Sequence, residues 1–366
     1  QVKVLALTLL FLVALDATVA GVLHLAERQG RLGSLVRYFE YGRSVPGKIA
    51  RWRERPGIPG NLLEVAWRDD ILAASREDFA TEADEPVIRS YGMSFVNQIL
   101  GAAQELEPGL VLDLHAGPAA PPNFTYAVFE DDAPNRRPGD VVVLGVLSSS
   151  VAGMAALSNR TWVFEQPAPF TYPIYRPGEG ALIRTDPLVA TLEDENALAT
   201  DPGAAAAWNR QLRQEDRFHA PVTFAAPGLD RSPFLRLVRR SAAADLLSNR
   251  TRAILAEPEE GGFPYRETLR RMVTSFAAQA RDDGQHPVVF LIQSRDAAAP
   301  DLRVILRETL TAHDIPYFAT AEHYDIRNPA GFLSDGHYTH GVNLSFAREF
   351  LHVYSDRLSG QPEPEE

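Results

Sequence analysis

A carboxylate and an imidazole sit two residues apart near the C-terminus, in Phe332-Leu-Ser-Asp335-Gly-His337-Tyr-Thr-His340-Gly-Val-Asn343. Asp335 can accept the Nδ1–H of His337, fix the tautomer and stabilise the imidazolium that forms when the other ring nitrogen takes a proton. Such a pair needs a nucleophile to deprotonate. The best candidate lies far upstream, at Ser94 in Arg89-Ser-Tyr-Gly-Met-Ser94-Phe-Val96. The run from Pro86 to Tyr91 reads as a strand, and Phe95 to Leu106 reads as a helix. A serine at a strand-to-helix turn lifts its hydroxyl at the carboxyl edge of a sheet, where a helix N-terminus lowers the cost of negative charge. Gly92 permits a tight turn there. Ser is also a favoured N-cap in any protein, so Ser94 alone says little. Taken with the Asp-x-His loop, it reads as a nucleophile for acyl transfer.

These blocks resemble the SGNH/GDSL hydrolase superfamily. That family carries its nucleophile in an N-terminal Gly-Asp-Ser block and its Asp and His close together near the C-terminus. Gly92-Met93-Ser94 matches the first block with Met93 in the acidic position, and Ser334-Asp335-Gly-His337 looks like the last. The likeness runs over about residues 85–356 and keeps the order Ser, Asp, His. It implies an α/β three-layer sandwich with a central parallel sheet, flavodoxin-like in outline. It also implies an oxyanion hole built from the amides of Ser94 and Gly117, the latter after the run Gly109–His115. The family's third donor is an Asn in a Gly-x-Asn-Asp pattern. The corresponding strand here runs Asp140–Leu147 into Ser148, Ser149 and Ser150, with no Asn. Ser148 or Ser149 takes that place, or the donor is missing.

Composition narrows the classes. The 366 residues are 45% hydrophobic, enough for a well-buried α/β core, and none is Cys, which excludes disulfides and thiolate chemistry. A net charge of −12 argues against nucleic acid as a partner. The basic residues are mostly Arg and Ala is abundant, a pattern of high-GC bacterial coding. No phosphate loop or dinucleotide fingerprint stands out, and His323, His337 and His340 lack a recognised ligand spacing. No cofactor and no metal is therefore expected.

Membrane contact is the second signal. Val4–Leu15 is apolar, Asp16 interrupts it and Ala17–Leu25 continues it, a stretch just long enough to cross a hydrocarbon core of about 30 Å. An anchor helix is favoured over a cleaved signal peptide because the apolar run passes the small residues Thr18-Val-Ala20. Past it the chain is basic, with Arg28, Arg31, Arg37 and Arg43, and Leu32, Leu35, Val36 and Phe39 fall on one helical face. Asp16 with Arg28, Arg31 and Arg37 reads as a docking surface for membrane lipid or an integral membrane protein. Basic residues after the span favour the cytoplasm, whereas the family likeness favours a periplasmic domain on a bacterial inner membrane, which is the expectation followed.

The expected organisation is therefore an anchor at 1–27, a basic juxtamembrane helix and linker at 28–60, an SGNH-like domain at 61–358 and a disordered acidic tail at 359–366. Strands are expected at 86–91, 109–115, 140–147 and 287–293, and helices at 95–106, 264–282 and 344–356. An insertion at about 160–260 opens with a hairpin near 170–184 and continues into Ala-rich helices near 203–215 and 233–248. Its Trp162, Phe164, Phe170, Tyr172 and Tyr175 suit either stacking on sugar faces or core packing. The resulting expectation is a single-pass membrane serine esterase or O-acyltransferase for an acylated carbohydrate or lipid. The rival is a non-catalytic accessory subunit on the same scaffold, which Met93 and the missing Asn favour.

Overall fold

The computed structural model describes residues 1–79, 86–225, 227–256, 262–296 and 298–358. The chain opens with α1 (Val2–Arg28), long and apolar enough to cross a membrane, with a mean hydropathy of 2.2 over its most apolar window. Its first part is exposed, and only Leu23 and Ala26 are buried. Helices α2 (Gly33–Glu40), α3 (Val45–Glu54) and α4 (Arg68–Phe79) follow.

The stretch expected from sequence to be a basic helix and linker at 28–60 contains α3. Ser44 caps it by accepting the Gly47 amide at 3.1 Å, and Pro46 falls in the first turn, where a missing N–H costs nothing. Val45, Ile49 and Trp52 bury against Leu63, Phe164 and Ala243 in a small second core. Asp230 fastens the helix start by accepting the Ser44 hydroxyl at 2.7 Å and the Ser44 amide at 3.0 Å. The segment that contains α3 is thus packed on the folded domain.

The main core begins with β1 (Val87–Gly92), α5 (Ser94–Leu106), β2 (Val111–Ala116), α6 (Pro122–Asp131) and β3 (Val141–Leu147). The insertion follows with α7 (Asn159–Trp162), the antiparallel hairpin of β4 (Ile174–Pro177) and β5 (Leu182–Thr185), and then α8 (Leu192–Ala197), α9 (Pro202–Glu215), α10 (Pro221–Phe224) and α11 (Pro233–Leu255). The chain returns through α12 (Tyr265–Asp282), β6 (His286–Ile292), α13 (Leu302–Ala312), β7 (Tyr317–Ala319), α14 (Thr320–His323) and α15 (His340–Leu358).

Five strands form one parallel sheet in the order β2-β1-β3-β6-β7. Every residue of β1 and β3 is buried, as expected of strands covered on both faces. The chain moves outward from β1 to β2 and then crosses back over β1 to β3. Right-handed crossovers in opposite directions put α5 and α6 on opposite faces of the sheet. The order therefore reverses at β1, and the crevice beyond the carboxyl ends of β1 and β3 is where such sheets bind ligands. The segment 359–366 lies outside the described residues.

The insertion shares the main core. Phe170, Tyr172, Tyr175, Trp208 and Phe218 are all buried in it, and Phe164 is buried in the second core. Trp162 is half-buried and donates to the Tyr172 hydroxyl at 2.7 Å. These rings pack the protein interior, so the sugar-stacking surface that the sequence suggested is not formed by them. Asp216 holds the insertion to the chain before it, accepting the amides of Leu157 at 2.9 Å, Phe218 at 2.8 Å and His219 at 3.0 Å.

His219 carries a pH prediction. Burial, then the nearby Arg213, push its imidazole down to about 4. The unfolded chain therefore binds a proton that the folded chain refuses between about 4 and the ordinary histidine value of about 6.5. Stability from this group is full above that window and is lost as pH falls through it. Burial pushes the Asp216 carboxyl up to about 6, and that contribution runs the opposite way. Comparing wild type with His219→Gln by urea unfolding isolates the imidazole. The variant is expected to lose less stability than wild type between pH 6.5 and 4, and an equal loss in both would refute the assignment.

Candidate active site

Ser94 is the first residue of α5, directly after β1 and Met93. Close packing fixes that turn. A Cβ on Gly145 of β3 would sit 2.7 Å from Val96 Cγ2 and 3.1 Å from Gly92 Cα, so β3, β1 and the start of α5 approach as nearly as glycine allows. Ser94 is half-buried at the carboxyl edge of the sheet. Its amide is one of the first-turn donors for which an α-helix has no internal acceptor.

His337 reaches Ser94 from a loop held at several points. Gly336, at φ +91°, makes the turn, and Leu333 donates its amide to the His337 carbonyl at 2.7 Å. Phe332 and Tyr338 bridge across the loop's base. Tyr338 is buried and donates its hydroxyl to the Gln293 carbonyl at the end of β6. The Asn343 amide donates to Gln98 Oε1 at 3.3 Å, tying α15 to α5. The Phe95 ring stacks on the His337 ring with centroids 4.6 Å apart. The outcome is a Ser94 Oγ to His337 Nε2 distance of 2.6 Å, across 243 residues of sequence.

Asp335 is beside His337 but is the looser member. Its Oδ1 lies 3.2 Å from His337 Nδ1, within ion-pair range, yet Nδ1 makes no well-aimed hydrogen bond. The same oxygen accepts the His337 backbone amide at 3.1 Å. The side chain is 64% exposed. Its carboxyl is held below the usual carboxylate range, first by that backbone N–H and then by the His337 side chain.

Two of the other oxyanion candidates, Gly117 and Ser148, are engaged elsewhere. The Gly117 amide donates to the Gly92 carbonyl at 3.3 Å, so it is not a preformed free donor. Ser148 Oγ accepts the Ser294 amide at 2.9 Å and meets Ser294 Oγ at 3.1 Å, clamping the ends of β3 and β6 together in the interior. Ser150 donates to the carbonyls of Ala120 and Leu147. Ser149, half-buried, is the member of the trio with no side-chain hydrogen bond among the described residues. The Ser94 amide at the head of α5 remains the best-placed donor.

The residues expected from sequence to meet the membrane lie apart from this site. Asp16 Oδ1 accepts the Phe234 amide at 2.8 Å, so its polar partner is the first turn of α11 in the same chain, where a carboxylate also meets the positive end of the helix dipole. Arg28, Arg31 and Arg37 are exposed and make no ion pair among the described residues. Arg31 and Arg37 line a hollow of about 480 Å³ at the foot of α1, with Lys48, Arg51 and Arg55.

Sequence reasoning missed a second polar cluster. Asp113 and His115 on β2 converge with Asp132, the residue that ends α6, all buried under the sheet. The Asp-x-His spacing in Asp113-Leu-His115 was visible, but nothing in the order of residues showed that Asp132 would meet it. Comparison with protein-family models, with curated proteins and with solved structures finds no match.

Proposed function

We propose that the chain is a membrane-anchored serine esterase or O-acyltransferase of the SGNH type, acting on an acylated polysaccharide or lipid of the bacterial envelope from the periplasmic side of the inner membrane. The observation that carries this reading is the 2.6 Å contact between Ser94 Oγ and His337 Nε2 at the sheet's switch point. His337 Nε2 takes the Ser94 proton as Oγ attacks the acyl carbonyl. The ester bond breaks when the imidazolium returns that proton to the leaving alcohol, and water or an acceptor hydroxyl then releases the acyl group by the reverse sequence. Asp335 keeps its charge through this cycle and steadies the imidazolium. The Ser94 amide and the α5 dipole face the charge that develops on the carbonyl oxygen. Membrane lipid is the proposed neighbour of α1, α2 and the basic hollow.

The rival reading is a non-catalytic subunit that docks on an integral membrane protein. It draws support from the engaged Gly117 amide and the buried Ser148 hydroxyl, because each oxyanion donor removed costs about 10²–10³ in kcat. The deciding experiment is acetate release from p-nitrophenyl acetate and from O-acetylated polysaccharide by the full chain in detergent. Turnover above that of Ser94→Ala supports the enzyme. Absence of any Ser94-dependent turnover on activated esters would transfer the argument to the rival.

The anchor gives a separate prediction. From Asp16 onward α1 is fastened to the domain, so the freely projecting apolar part is Val2–Leu15. A chain lacking residues 1–15 is expected to remain in the soluble fraction when the full chain floats with phosphatidylglycerol-containing vesicles. Co-flotation of the shortened chain would place the membrane contact in α2 and the N-terminal turn of α11, where Leu32, Leu35 and Phe234 are exposed.

A further inference from the structure

Under the sheet, on the side covered by α6, β2 presents Asp113 and His115 on one face, in register with Arg89 and Tyr91 of β1. Asp132 enters from the end of α6. Their exposures are 5%, 2% and 0%, so all three are interior groups. His115 Nε2 lies 3.2 Å from Asp113 Oδ2 and 3.7 Å from Asp132 Oδ2. All three donor atoms fall within 4.8 Å of one another.

Charge around them is unevenly answered. Arg89 pairs with Asp113 and with Asp140. Asp132 has no Arg or Lys within ion-pair range among the described residues, and its nearest donors are neutral: the Tyr91 hydroxyl at 2.7 Å and the Asn135 amide at 2.6 Å. A buried carboxylate is stable only beside a positive charge or a full set of hydrogen bonds. Two positive charges fit the space, a proton on His115 or a metal ion. A protonated imidazole would aim an N–H along a line to one oxygen. Here Nε2 makes no hydrogen bond at all, although it is buried and stands between two carboxylate oxygens. The Tyr91 ring, stacked on His115 at 5.2 Å and 10°, holds the imidazole in that plane.

We propose that Asp113, His115 and Asp132 bind a divalent transition metal of the zinc class, at a site distinct from Ser94. Zinc takes imidazole nitrogen and carboxylate oxygen at about 2.0–2.2 Å, and tetrahedral bonds of that length separate neighbouring ligands by about 3.4 Å. The observed 3.2 and 3.7 Å bracket that edge. The Tyr91 hydroxyl is a further oxygen beside the site. The site is buried, so its role is structural: it pins the edge strand β2 to the end of α6 and so steadies the β1–β2 pair that leads into Ser94.

The test uses the full untagged chain in detergent, stripped with EDTA, reloaded with Zn²⁺ and passed through gel filtration before metal analysis. Wild type is expected to retain about one zinc per chain and to gain thermal stability on reloading, as binding to the folded state alone requires. His115→Gln is expected to lose both effects, with surface histidines acting equally in the two proteins. If His115→Gln does not fold, Asp132→Asn replaces it, and Co²⁺-loaded wild type is expected to show the visible bands of a tetrahedral site. Equal zinc retention in wild type and variant, failure of wild type to retain zinc, or a ¹⁵N signal of a protonated His115 ring would each overturn the proposal.

Discussion

Ser94→Ala and His337→Ala are each expected to lower ester turnover by about 10⁴-fold or more in kcat, and the double variant is expected to be no worse. On the proposed reading the two side chains, 2.6 Å apart, act as one proton-transfer unit, so removing either removes the activated nucleophile. Asp335→Asn is expected to be milder, about 10–100-fold. The role of such a carboxylate is to orient and charge-stabilise the imidazole, and here it is exposed and off-line to Nδ1. Steady-state kinetics on p-nitrophenyl acetate checks all four proteins. A Ser94→Ala protein with wild-type turnover would place the chemistry elsewhere, and an Asp335→Asn loss equal to that of His337→Ala would show a tighter Asp335–His337 contact than the one described.

Arg89→Ala is expected to destabilise the fold by about 3–5 kcal/mol, the usual cost of removing one partner from a buried ion pair. Arg89 is 1% exposed and donates Nε to Asp140 Oδ2 at 2.9 Å while also holding Asp113. Asp140 in turn accepts the amides of Val87 at 3.2 Å, at the start of β1, and of Arg137 at 3.0 Å, ahead of β3. The substitution takes the guanidinium from two buried carboxylates at once. Arg89→Met keeps volume but removes the same positive charge, so it is expected to fare little better. Adding Asp113→Asn and Asp140→Asn to Arg89→Met is expected to restore part of the loss. Guanidinium unfolding measures these differences, and a change below about 1 kcal/mol in Arg89→Ala would mean that the pair is hydrated in solution.

Much of the sheet was legible because its strands are apolar runs between helical periodicities. Val141–Leu147 and His286–Ile292 fall within a residue or so of where hydrophobic patterning put them. β7 escaped because Tyr317–Ala319 is three residues long, too short for any alternation to register. α3 escaped because Pro46 and Gly47 resemble breakers, whereas proline in a first turn with Ser44 as cap is a helix start. At the site, residue types and order pointed to Ser94, Asp335 and His337, which the fold places side by side. The oxyanion donors were not legible in that way. Whether an amide such as that of Gly117 is free depends on whether a neighbouring carbonyl takes it, and Gly92 does. Ser148 looks like any serine at a strand end, and only the arrival of Ser294 beside it turns its hydroxyl into a clamp. The Asp113–His115–Asp132 cluster is likewise a product of α6 folding back over β1 and β3, which brings Asp132, at its end, beside β2.

The account turns on a single reactive serine. Incubating the full chain with a fluorophosphonate and mapping the adduct by mass spectrometry tests it most directly. The expected result is one adduct per chain, on the peptide containing Ser94, absent in His337→Ala because the unassisted hydroxyl is a poor nucleophile. Labelling at another residue, or no labelling of the folded wild-type chain, would contradict a Ser94–His337 catalytic unit.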